Sequence, residues 1–592
     1  MNLSRTLILL ALALVPLASP VQAQQQITSK VPVAFDRFYE YDELLAIGKK
    51  LCDAYPELLS MEEIGKSVQG RPMFAFTLNN AKTGTDLSKP AMYIDGNIHG
   101  NEIQAAETVL YSMWYLVSAY GSIAPMTDVV DRTAFYFVLS ANPDGRAYWF
   151  SQPNTSNSSR GGQKPVDDDR DGVADEDGPD DLNSDGEIGV MWRPDPNGSH
   201  KRSELDPNRM EPVTPEVTKD GRIRRGSWSF AGSEGIDNDG DGQVNEDGPG
   251  GYDPNRNWPT DWQPDHVQSG AGEFPLSLPE SQAVAGFVLA HPNIMAGQAY
   301  HNAGGMILRG PGSQERENTY PQRDRTTYDA IAKAGEEMLP FYRSMIIWSD
   351  LYTVHGGFVN WLAESLGAIS FTNELWNEKL ILQSGNAPSD DESRRWRERV
   401  LFDQTVTPLT EVNHPTLGKV LVGGSTKYSS RIPPPFMLQE QCHRNFAFTF
   451  FHASQLPLLR FASIATTSLG SNLWQVDVEV ANDKLIPTRT ERAASKGIGL
   501  PDRLTLSGDT KVVTAGTLRD RYDRGMSEQR FRPATVLLDD GIGGRSSRFV
   551  RFIVEGKPGA QLKLNYAADK ASAIETSVTL DSAPPLAVQP GR

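Results

Sequence analysis

Two histidines and one glutamate have the types and positions that a catalytic zinc site requires. His99 and Glu102 stand three residues apart, shortly after residues 92–94, a short apolar run typical of a buried strand. His301 directly follows a second such run, residues 294–300. Two imidazoles and one carboxylate are the ligands of a catalytic zinc that keeps one position open for water. Because an HxxE spacing also occurs in ordinary polar loops, a third ligand has to distinguish the two interpretations.

An α/β sheet must position these three side chains. Short apolar runs at residues 73–78, 91–94, 134–139, 294–300 and 368–372 predict strands. Periodic segments at residues 38–55, 101–120, 278–289, 325–345 and 439–453 predict helices. Ligands of such sheets lie at the carboxyl ends of the strands, which is where His301 stands. Residues 151–253 show little secondary-structure signal, and residues 376–435 are predicted to form a long excursion.

Three acidic segments repeat a pattern typical of calcium loops. Each has oxygen-bearing side chains at its first, third and fifth positions and a glycine at its sixth. The predicted ligands are Asp167, Asp169, Asp171, Asp181, Asn183, Asp185, Asp237, Asp239 and Asp241. Residues 165–187 and 234–247 hold seventeen acidic side chains and one arginine, and so most of the net charge of −18. Without a cation the carboxylates in such loops repel one another, so we expect structural Ca²⁺. The alternative is a solvated acidic loop without a metal.

The composition limits the class of protein. The 592 residues correspond to two to four domains at about 100–200 residues each. The negative net charge argues against binding to nucleic acid. Residues 1–23 combine Arg5, an apolar run and a small-residue ending, which predicts a secretory signal peptide. The alternative is an uncleaved anchor. We therefore expect an exported protein, periplasmic or extracellular, without a transmembrane segment after cleavage.

The pattern changes near residue 465 to alternating strands, which predicts a separate β-sandwich. The predicted organisation is a signal peptide at 1–23, a catalytic domain at 24–462 with an insert at about 163–250, and a C-terminal β-sandwich domain at 463–592. Export would permit a disulfide between Cys52 and Cys442, which the sequence alone does not establish.

Six ordered motifs resemble those of the zinc carboxypeptidases of the carboxypeptidase A type. They are IGKSVQGR at 64–71, HGNE at 99–102, NPDG at 142–145, NRNW at 255–258, His301, and a closing segment at 356–375 that contains SFTNEL. The resemblance covers residues 35–460, with the acidic loops inserted between NPDG and NRNW. It implies an α/β fold with a mixed central β-sheet flanked by helices.

The resemblance also implies a reaction and its residues. His99, Glu102 and His301 would bind one Zn²⁺, and Glu374 would be the general base for a zinc-activated water. In the family, the NR pair binds the terminal carboxylate of a peptide, which places Asn255 and Arg256 in that role. Tyr352 stands 22 residues before Glu374, at the spacing of the family's mobile tyrosine, and Val359 at a pocket-lining position.

The chain departs from the family pattern at three places. Asn101 stands where the family has an arginine, and Asn360 replaces a usual aspartate before Trp361. The arginine that polarises the scissile carbonyl would fall at Pro196, so Arg193 is the nearest candidate oxyanion donor. An uncharged Val359 favours an apolar or aromatic C-terminal residue in the substrate.

Three functions follow as hypotheses. The first is a secreted zinc metallocarboxypeptidase that acts on peptides with a free C-terminal carboxylate, which the retained Asn255 and Arg256 favour. The second is the same zinc centre directed at another amide, such as a peptidoglycan stem peptide or an acyl-amino acid. The third is a non-catalytic calcium-dependent binding protein, which the intact zinc ligands and Glu374 argue against.

Overall fold

The computed structural model describes residues 27–221 and 223–581 of the chain. The predicted signal peptide lies outside the described residues. Within those ranges, none of the helices combines the length and the apolar character needed to cross a membrane.

The part of the chain before residue 458 contains two sheets, one two-stranded ribbon and the helices around them. The strands are β1 (Leu59–Lys66), β2 (Pro72–Leu78), β3 (Ala91–Gly96), β4 (Ala134–Val138), β5 (Val190–Pro194), β6 (His200–Arg202), β7 (Met210–Pro212), β8 (Glu216–Val217), β9 (Ile223–Arg224), β10 (Trp228–Ser233), β11 (Ile294–Asn302), β12 (Met306–Arg309), β13 (Arg343–Ile346), β14 (Ile369–Leu375), β15 (Val406–His414) and β16 (Gly418–Ser425). The helices are α1 (Tyr41–Ala54), α2 (Gln104–Ala119), α3 (Ala124–Arg132), α4 (Pro143–Ser151), α5 (Pro279–Ala290), α6 (Gln322–Met338), α7 (Phe358–Leu366), α8 (Lys379–Leu382), α9 (Asp390–Arg399) and α10 (Pro435–Ser454).

The central sheet has eight strands in the order β1-β2-β4-β3-β11-β14-β12-β13. Its centre, β4-β3-β11-β14, is parallel. Strands β1 and β2 pair antiparallel to their neighbours, and β12 is antiparallel to β14 but parallel to β13. The α/β fold with a mixed sheet, expected from the sequence, is confirmed. Every residue of β3 and of β11 is buried, because helices cover both faces of the parallel centre.

Two apolar cores hold this sheet between its helices. On one face, Leu44 of α1, Leu116 of α2 and Leu438 of α10 are buried in one cluster. On the other face, Phe287 of α5 and Leu362 of α7 are buried in a second cluster. Burial of such side chains is the main source of stability in a domain of this kind. It fixes the edge of the sheet at which β3, β11 and β14 end.

Two distant segments build one additional sheet, which the sequence did not predict. Strands β5, β6, β7 and β10 come from the acidic insert, and β15 and β16 come from the excursion after β14. They join in the order β15-β16-β5-β10-β6-β7 through the pairing of Leu421 with Trp192. Prediction missed these strands because most are short and their alternation is interrupted by Gly, Pro and charged residues. The helix predicted over residues 325–345 ends at Met338, and residues 343–346 form β13 instead.

The C-terminal region is rich in antiparallel strands, as expected. Its elements are β17 (Leu459–Gly470), β18 (Leu473–Asn482), α11 (Glu491–Lys496), β19 (Asp502–Gly508), β20 (Lys511–Leu518), β21 (Ser527–Glu528), β22 (Thr535–Leu538), β23 (Ser546–Glu555), β24 (Gln561–Ala568) and β25 (Ala571–Thr579). A five-stranded sheet, β17-β18-β23-β20-β21, and a four-stranded sheet, β22-β19-β24-β25, share one core that includes Val476 and Leu504. Strand β17 begins four residues before the predicted boundary at 463.

Both cysteines are unpaired in the described part of the chain. Cys442 is buried on α10, and Cys52 is partly buried on α1. Burial raises the pKa of the Cys52 thiol to about 11, so that thiol stays protonated at neutral pH.

Hydrogen bonds attach the C-terminal region to the elements that carry the central site. Lys570 Nζ donates to the backbone oxygens of Ile294, at the start of β11, and Leu366, at the end of α7, over 2.8 and 2.6 Å. Thr490 Oγ1 donates to the oxygen of Gly367, directly after α7, over 3.0 Å. The C-terminal region therefore fixes one end of both elements.

Lys570→Met should lower the free energy of unfolding by about 1–3 kcal/mol, because two partly buried carbonyl oxygens lose their donor. The matched control is Lys563→Met on β24, whose ammonium pairs with Glu575 at the surface. Calorimetric melting of both variants measures the difference. Equal melting temperatures would contradict an anchoring role for Lys570.

Candidate metal centre and active site

The three predicted metal ligands meet at the carboxyl edge of the parallel strands. His99 follows β3, Glu102 begins the segment that leads into α2, and His301 lies near the end of β11. Glu102 Oε2 lies 3.0 Å from His99 Nδ1 and 2.9 Å from His301 Nδ1, and the two Nδ1 atoms are 3.2 Å apart. All three side chains are buried. The structure thus brings these ligand atoms within reach of a single ion.

The two oxygens of Glu102 have different neighbours. Oε2 faces the imidazoles and is a buried oxygen that has no hydrogen-bond partner among the described residues. Oε1 lies 3.3 Å from Arg160 Nη1 and 3.1 Å from Arg431 Nη2. Burial alone would raise the pKa of Glu102, but His99 and His301 hold it well below its usual range. An ionised, unpartnered oxygen between two imidazole nitrogens fits a divalent cation such as zinc.

Asp253 orients His99 from the side opposite the metal ligands. Its Oδ1 lies 3.0 Å from His99 Nε2, and its Oδ2 lies 3.1 Å from Arg160 Nε. Burial would raise the pKa of Asp253, but Arg256, His99 and Arg160 hold it well below its usual range. Sequence reasoning missed Asp253. The available signal is an acid two residues before Asn255, since a metal-binding histidine usually bonds a carboxylate through its second nitrogen.

Arg160 lies beside the metal ligands, whereas Arg193 does not. Arg193 is exposed on β5, where it pairs with Ser229 in the six-stranded sheet, so the structure does not bring it to the metal ligands. Arg160 lines the same pocket as His99, His301 and Glu374. Burial lowers the pKa of the Arg160 guanidinium, but the carboxylates of Asp253 and Glu102 have the larger effect, so that its pKa is raised overall. Sequence reasoning missed Arg160 because its loop has neither a motif nor periodicity.

Glu374 lies beside His301 at the end of β14. The two residues are register partners on adjacent parallel strands. Burial and the carboxylate of Glu102 raise the pKa of Glu374 to about 7, while His301, Arg160 and Arg431 act in the opposite direction. A carboxylate with such a pKa can both accept and return a proton near neutral pH.

A family model described as zinc carboxypeptidase matches residues 44–208 and 213–395 of the chain. The chain belongs to the zinc carboxypeptidase family. A second family model, for a domain of unknown function, matches residues 458–579.

Individual relatives match shorter stretches of this zinc carboxypeptidase. Carboxypeptidase B of Astacus astacus is 40% identical over 114 residues, which are 19% of this chain and 35% of that protein. An inactive metallocarboxypeptidase of Saccharomyces cerevisiae is 28% identical over 117 residues, 20% of this chain and 27% of that protein. The first such relatives are thus matched over 35% of their length or less. The crystal structure of carboxypeptidase A from Helicoverpa armigera aligns with 71% of this chain and 75% of that chain, at 16% identity and a TM-score of 0.43.

The pocket of the zinc carboxypeptidase also contains the remaining residues predicted for the site. Asn255, Arg256, Tyr352 and Val359 all line it, together with the metal-binding histidines and Glu374. Asn255 Oδ1 accepts a hydrogen bond of 2.9 Å from the backbone nitrogen of Phe358, which joins the NRNW segment to the first turn of α7. Tyr352 is 51% exposed at the end of a short π-helical turn, Ile347–Leu351.

A glycine allows the NRNW segment to approach α7. Gly356 has φ +64°, and a Cβ there would lie 2.1 Å from the backbone oxygen of Arg256. Only glycine tolerates both the positive φ and this contact. The position explains why the sequence has glycines directly before α7.

The acidic insert of the zinc carboxypeptidase forms a pair of facing loops. The backbone nitrogen of Asp177 donates to the oxygen of Asp247 over 3.1 Å, and this bridge joins the first loop to the third. Four groups of acidic side chains come together: Asp169, Asp171, Glu176 and Asp239; Asp167, Asp169 and Asp247; Asp177, Asp239 and Glu246; and Asp237, Asp239 and Asp241.

The middle loop is not part of these four groups. Asp181 accepts hydrogen bonds from the backbone nitrogens of Asp185 and Gly186, as Asp167 and Asp237 do within their own loops. The middle loop thus shares the turn of the other two but not their clustering of carboxylates.

Asp253→Asn should weaken zinc binding about 10–100-fold, because His99 loses the carboxylate that orients its ring. The matched control is Asp261→Asn, since Asp261 Oδ2 lies 2.9 Å from His355 Nδ1, outside the metal ligands. Competition with a fluorescent zinc chelator measures both affinities. If the two variants bind zinc equally well, Asp253 does not act on the metal.

Proposed function

We propose that this chain is a metallocarboxypeptidase that removes the C-terminal residue of peptides. The observation that carries the proposal is the metal-ligand trio, whose two histidines line one pocket with Glu374 and the Asn255–Arg256 pair. A metal centre alone would serve many hydrolases. The Asn255–Arg256 pair beside it selects substrates that end in a free carboxylate.

Each residue around the metal has a separate role in the proposed reaction. Zinc, held by His99, Glu102 and His301, would supply a Lewis acid and lower the pKa of a water molecule towards about 7. Glu374 takes the proton of the attacking water and delivers it to the leaving amine. Arg160 donates hydrogen bonds to the oxygen on which negative charge develops, the role first predicted for Arg193.

The other end of the pocket selects the substrate. Arg256 forms a bidentate pair with the terminal carboxylate, Asn255 donates one further hydrogen bond, and the exposed Tyr352 closes over the bound residue. Leu308, Ile347, Val354 and Val359 line the pocket. Among its described lining residues, Glu374 is the single acid, so a basic C-terminal side chain finds no second partner. We therefore propose apolar or aromatic C-terminal residues as the preferred substrates.

Glu374→Gln should abolish hydrolysis of N-blocked dipeptides while the protein still binds one equivalent of zinc, because the amide cannot accept the proton. The wild-type protein should release the last residue of N-blocked dipeptides that end in a free carboxylate and leave their C-terminal amides intact. Chromatography of released amino acids and metal analysis provide the two readouts. Cleavage of the amidated peptides would favour the alternative in which the centre acts on other amides.

We further propose that the first and third acidic loops each bind Ca²⁺. The loops are related reciprocally: Asp247 accepts hydrogen bonds from the backbone of Asp168 and Asp175, and Asp177 accepts them from the equivalent Asn238 and Asn245. This arrangement leaves Glu176 and Glu246 to complete the two ligand shells. Their carboxylate oxygens are buried and have no hydrogen-bond partner within the described chain.

The electrostatics of these two glutamates also favour a cation. Burial and the neighbouring Asp247 raise the pKa of Glu176 to about 7. Asp177 and burial raise the pKa of Glu246 to about 7. Acidic side chains in such surroundings are stabilised in the charged form by a hard cation with oxygen ligands, which is the preference of Ca²⁺.

Millimolar CaCl₂ should raise the melting temperature of the zinc-loaded protein by about 2–4 °C, because calcium binds the folded loops only. The double variant Glu176→Gln, Glu246→Gln should lose this shift, whereas Asp185→Asn in the middle loop should keep it. Differential scanning calorimetry with MgCl₂ as the reference salt measures the effect. An unchanged melting temperature in calcium would exclude the calcium sites.

A further inference from the structure

A large cavity lies near the predicted metal ligands and is separate from the pocket that contains Asn255 and Arg256. Its volume is about 590 Å³, within the range of ligand-binding pockets. Apolar rings and side chains form much of its wall, and serine and threonine hydroxyl groups with one glutamine form most of the rest. The apolar members are Phe38, Trp376, Ile381, Trp396, Leu401, Tyr428, Ile432, Pro433, Pro434 and Pro435. We call this the excursion cavity, because most of its residues belong to the segment after β14.

Short chain connections join the excursion cavity to the metal ligands. Trp376 follows Glu374 by two residues. Ser430 and Ile432 flank Arg431, whose guanidinium contacts Glu102 Oε1 and the backbone oxygen of Asn302. Since consecutive Cα atoms are about 3.8 Å apart, Trp376 lies within two residue lengths of Glu374, and Ser430 and Ile432 lie within one residue length of the arginine that contacts Glu102.

The excursion cavity is separate from the carboxylate-binding pocket. The two share no residue in the described part of the chain. His99 and His301 line the pocket, whereas the third ligand, Glu102, contacts Arg431, which stands between two residues of the cavity wall. A peptide whose last residue fills the pocket extends out of it on the amino side, and a cavity this close to the metal ligands is within its reach.

The wall chemistry matches an extended peptide with apolar side chains. Trp396 and Tyr428 offer flat apolar faces, and hydroxyl groups such as those of Ser393 and Ser429 can bond to backbone amides. The described wall holds one arginine and one acid. Arg397 is paired with Asp206 over 2.6 Å, so it does not select an anionic ligand, and Glu378 is an exposed residue before α8.

We propose that the excursion cavity binds the amino-side residues of the peptide substrate, with preference for aliphatic or aromatic side chains two to four positions before the scissile bond. This inference rests on the proposed carboxypeptidase function. It makes the chain selective for longer peptides, because a blocked dipeptide does not reach the cavity.

The test compares an N-acetylated dipeptide with an N-acetylated hexapeptide that shares its last two residues and carries leucine or phenylalanine before them. In the zinc-loaded wild type, kcat/KM for the hexapeptide should exceed that for the dipeptide about tenfold. Trp396→Ala should lower this ratio about fivefold, because a large flat aromatic face of the wall is removed. Ile381→Ala should lower it in the same direction if Trp396→Ala fails to fold.

Leu382→Ala is the matched control for Ile381→Ala. Both residues lie on α8, but Leu382 is exposed and does not line the excursion cavity. It should leave the ratio unchanged. A wild-type ratio near one, or a ratio that stays constant in both cavity variants, would overturn the proposal.

A binding measurement separates failure of this inference from failure of the proposed function. Calorimetry on Glu374→Gln should show tighter binding of the hexapeptide than of the dipeptide, and the added Trp396→Ala change should remove the difference. If the wild type cleaves neither peptide, the proposed function fails, while this binding difference still tests the cavity. Binding of chitohexaose that depends on Trp396, without any peptide preference, would identify a glycan site and overturn the proposal.

Discussion

The site depends on the Glu102 carboxylate, whose two oxygens contact two different kinds of side chain. Glu102 directs Oε2 to two imidazoles and Oε1 to two guanidinium groups. A buried carboxylate is costly unless its charge is compensated. Arg160 and Arg431 compensate it from one side, which leaves the other oxygen available to a metal ion. The four partners come from four separate segments, so only a folded chain can assemble them.

The excursion after β14 contributes directly to this arrangement. It supplies Arg431, and its strands β15 and β16 extend the sheet of the acidic insert through β5. A further contact joins the insert to the excursion, since Glu187 accepts a hydrogen bond of 2.7 Å from the backbone nitrogen of Lys427. The acidic insert and the excursion are therefore one structural unit. The excursion forms most of the wall of the excursion cavity.

The C-terminal region acts on the same elements from the opposite end. Lys570 and Thr490 bond to the start of β11 and the end of α7. His301 stands near the other end of β11, and Val359 lies in the first turn of α7. Hydrogen bonds at the ends of helices and strands restrict fraying, which is the local opening that requires the least free energy in a folded protein. The region thus stabilises the scaffold without contributing a residue to the pocket.

The sequence by itself was sufficient to predict the features that depend on a local pattern of residues. Buried apolar runs predicted β3, β11 and β14, and ligands of such sheets lie at the carboxyl ends of the strands, so His301 could be placed there from its position. The resemblance to the family implied the role of Glu374. The ordered motifs indicated the family, and the repeated acidic pattern indicated the loops. Only the tertiary structure showed that Arg160, rather than Arg193, lies beside the metal ligands. It also showed that Asp253 and Arg431 contact these ligands and that two distant segments form one sheet. These features depend on contacts between residues far apart in the chain, and such contacts leave no periodicity or spacing in the sequence.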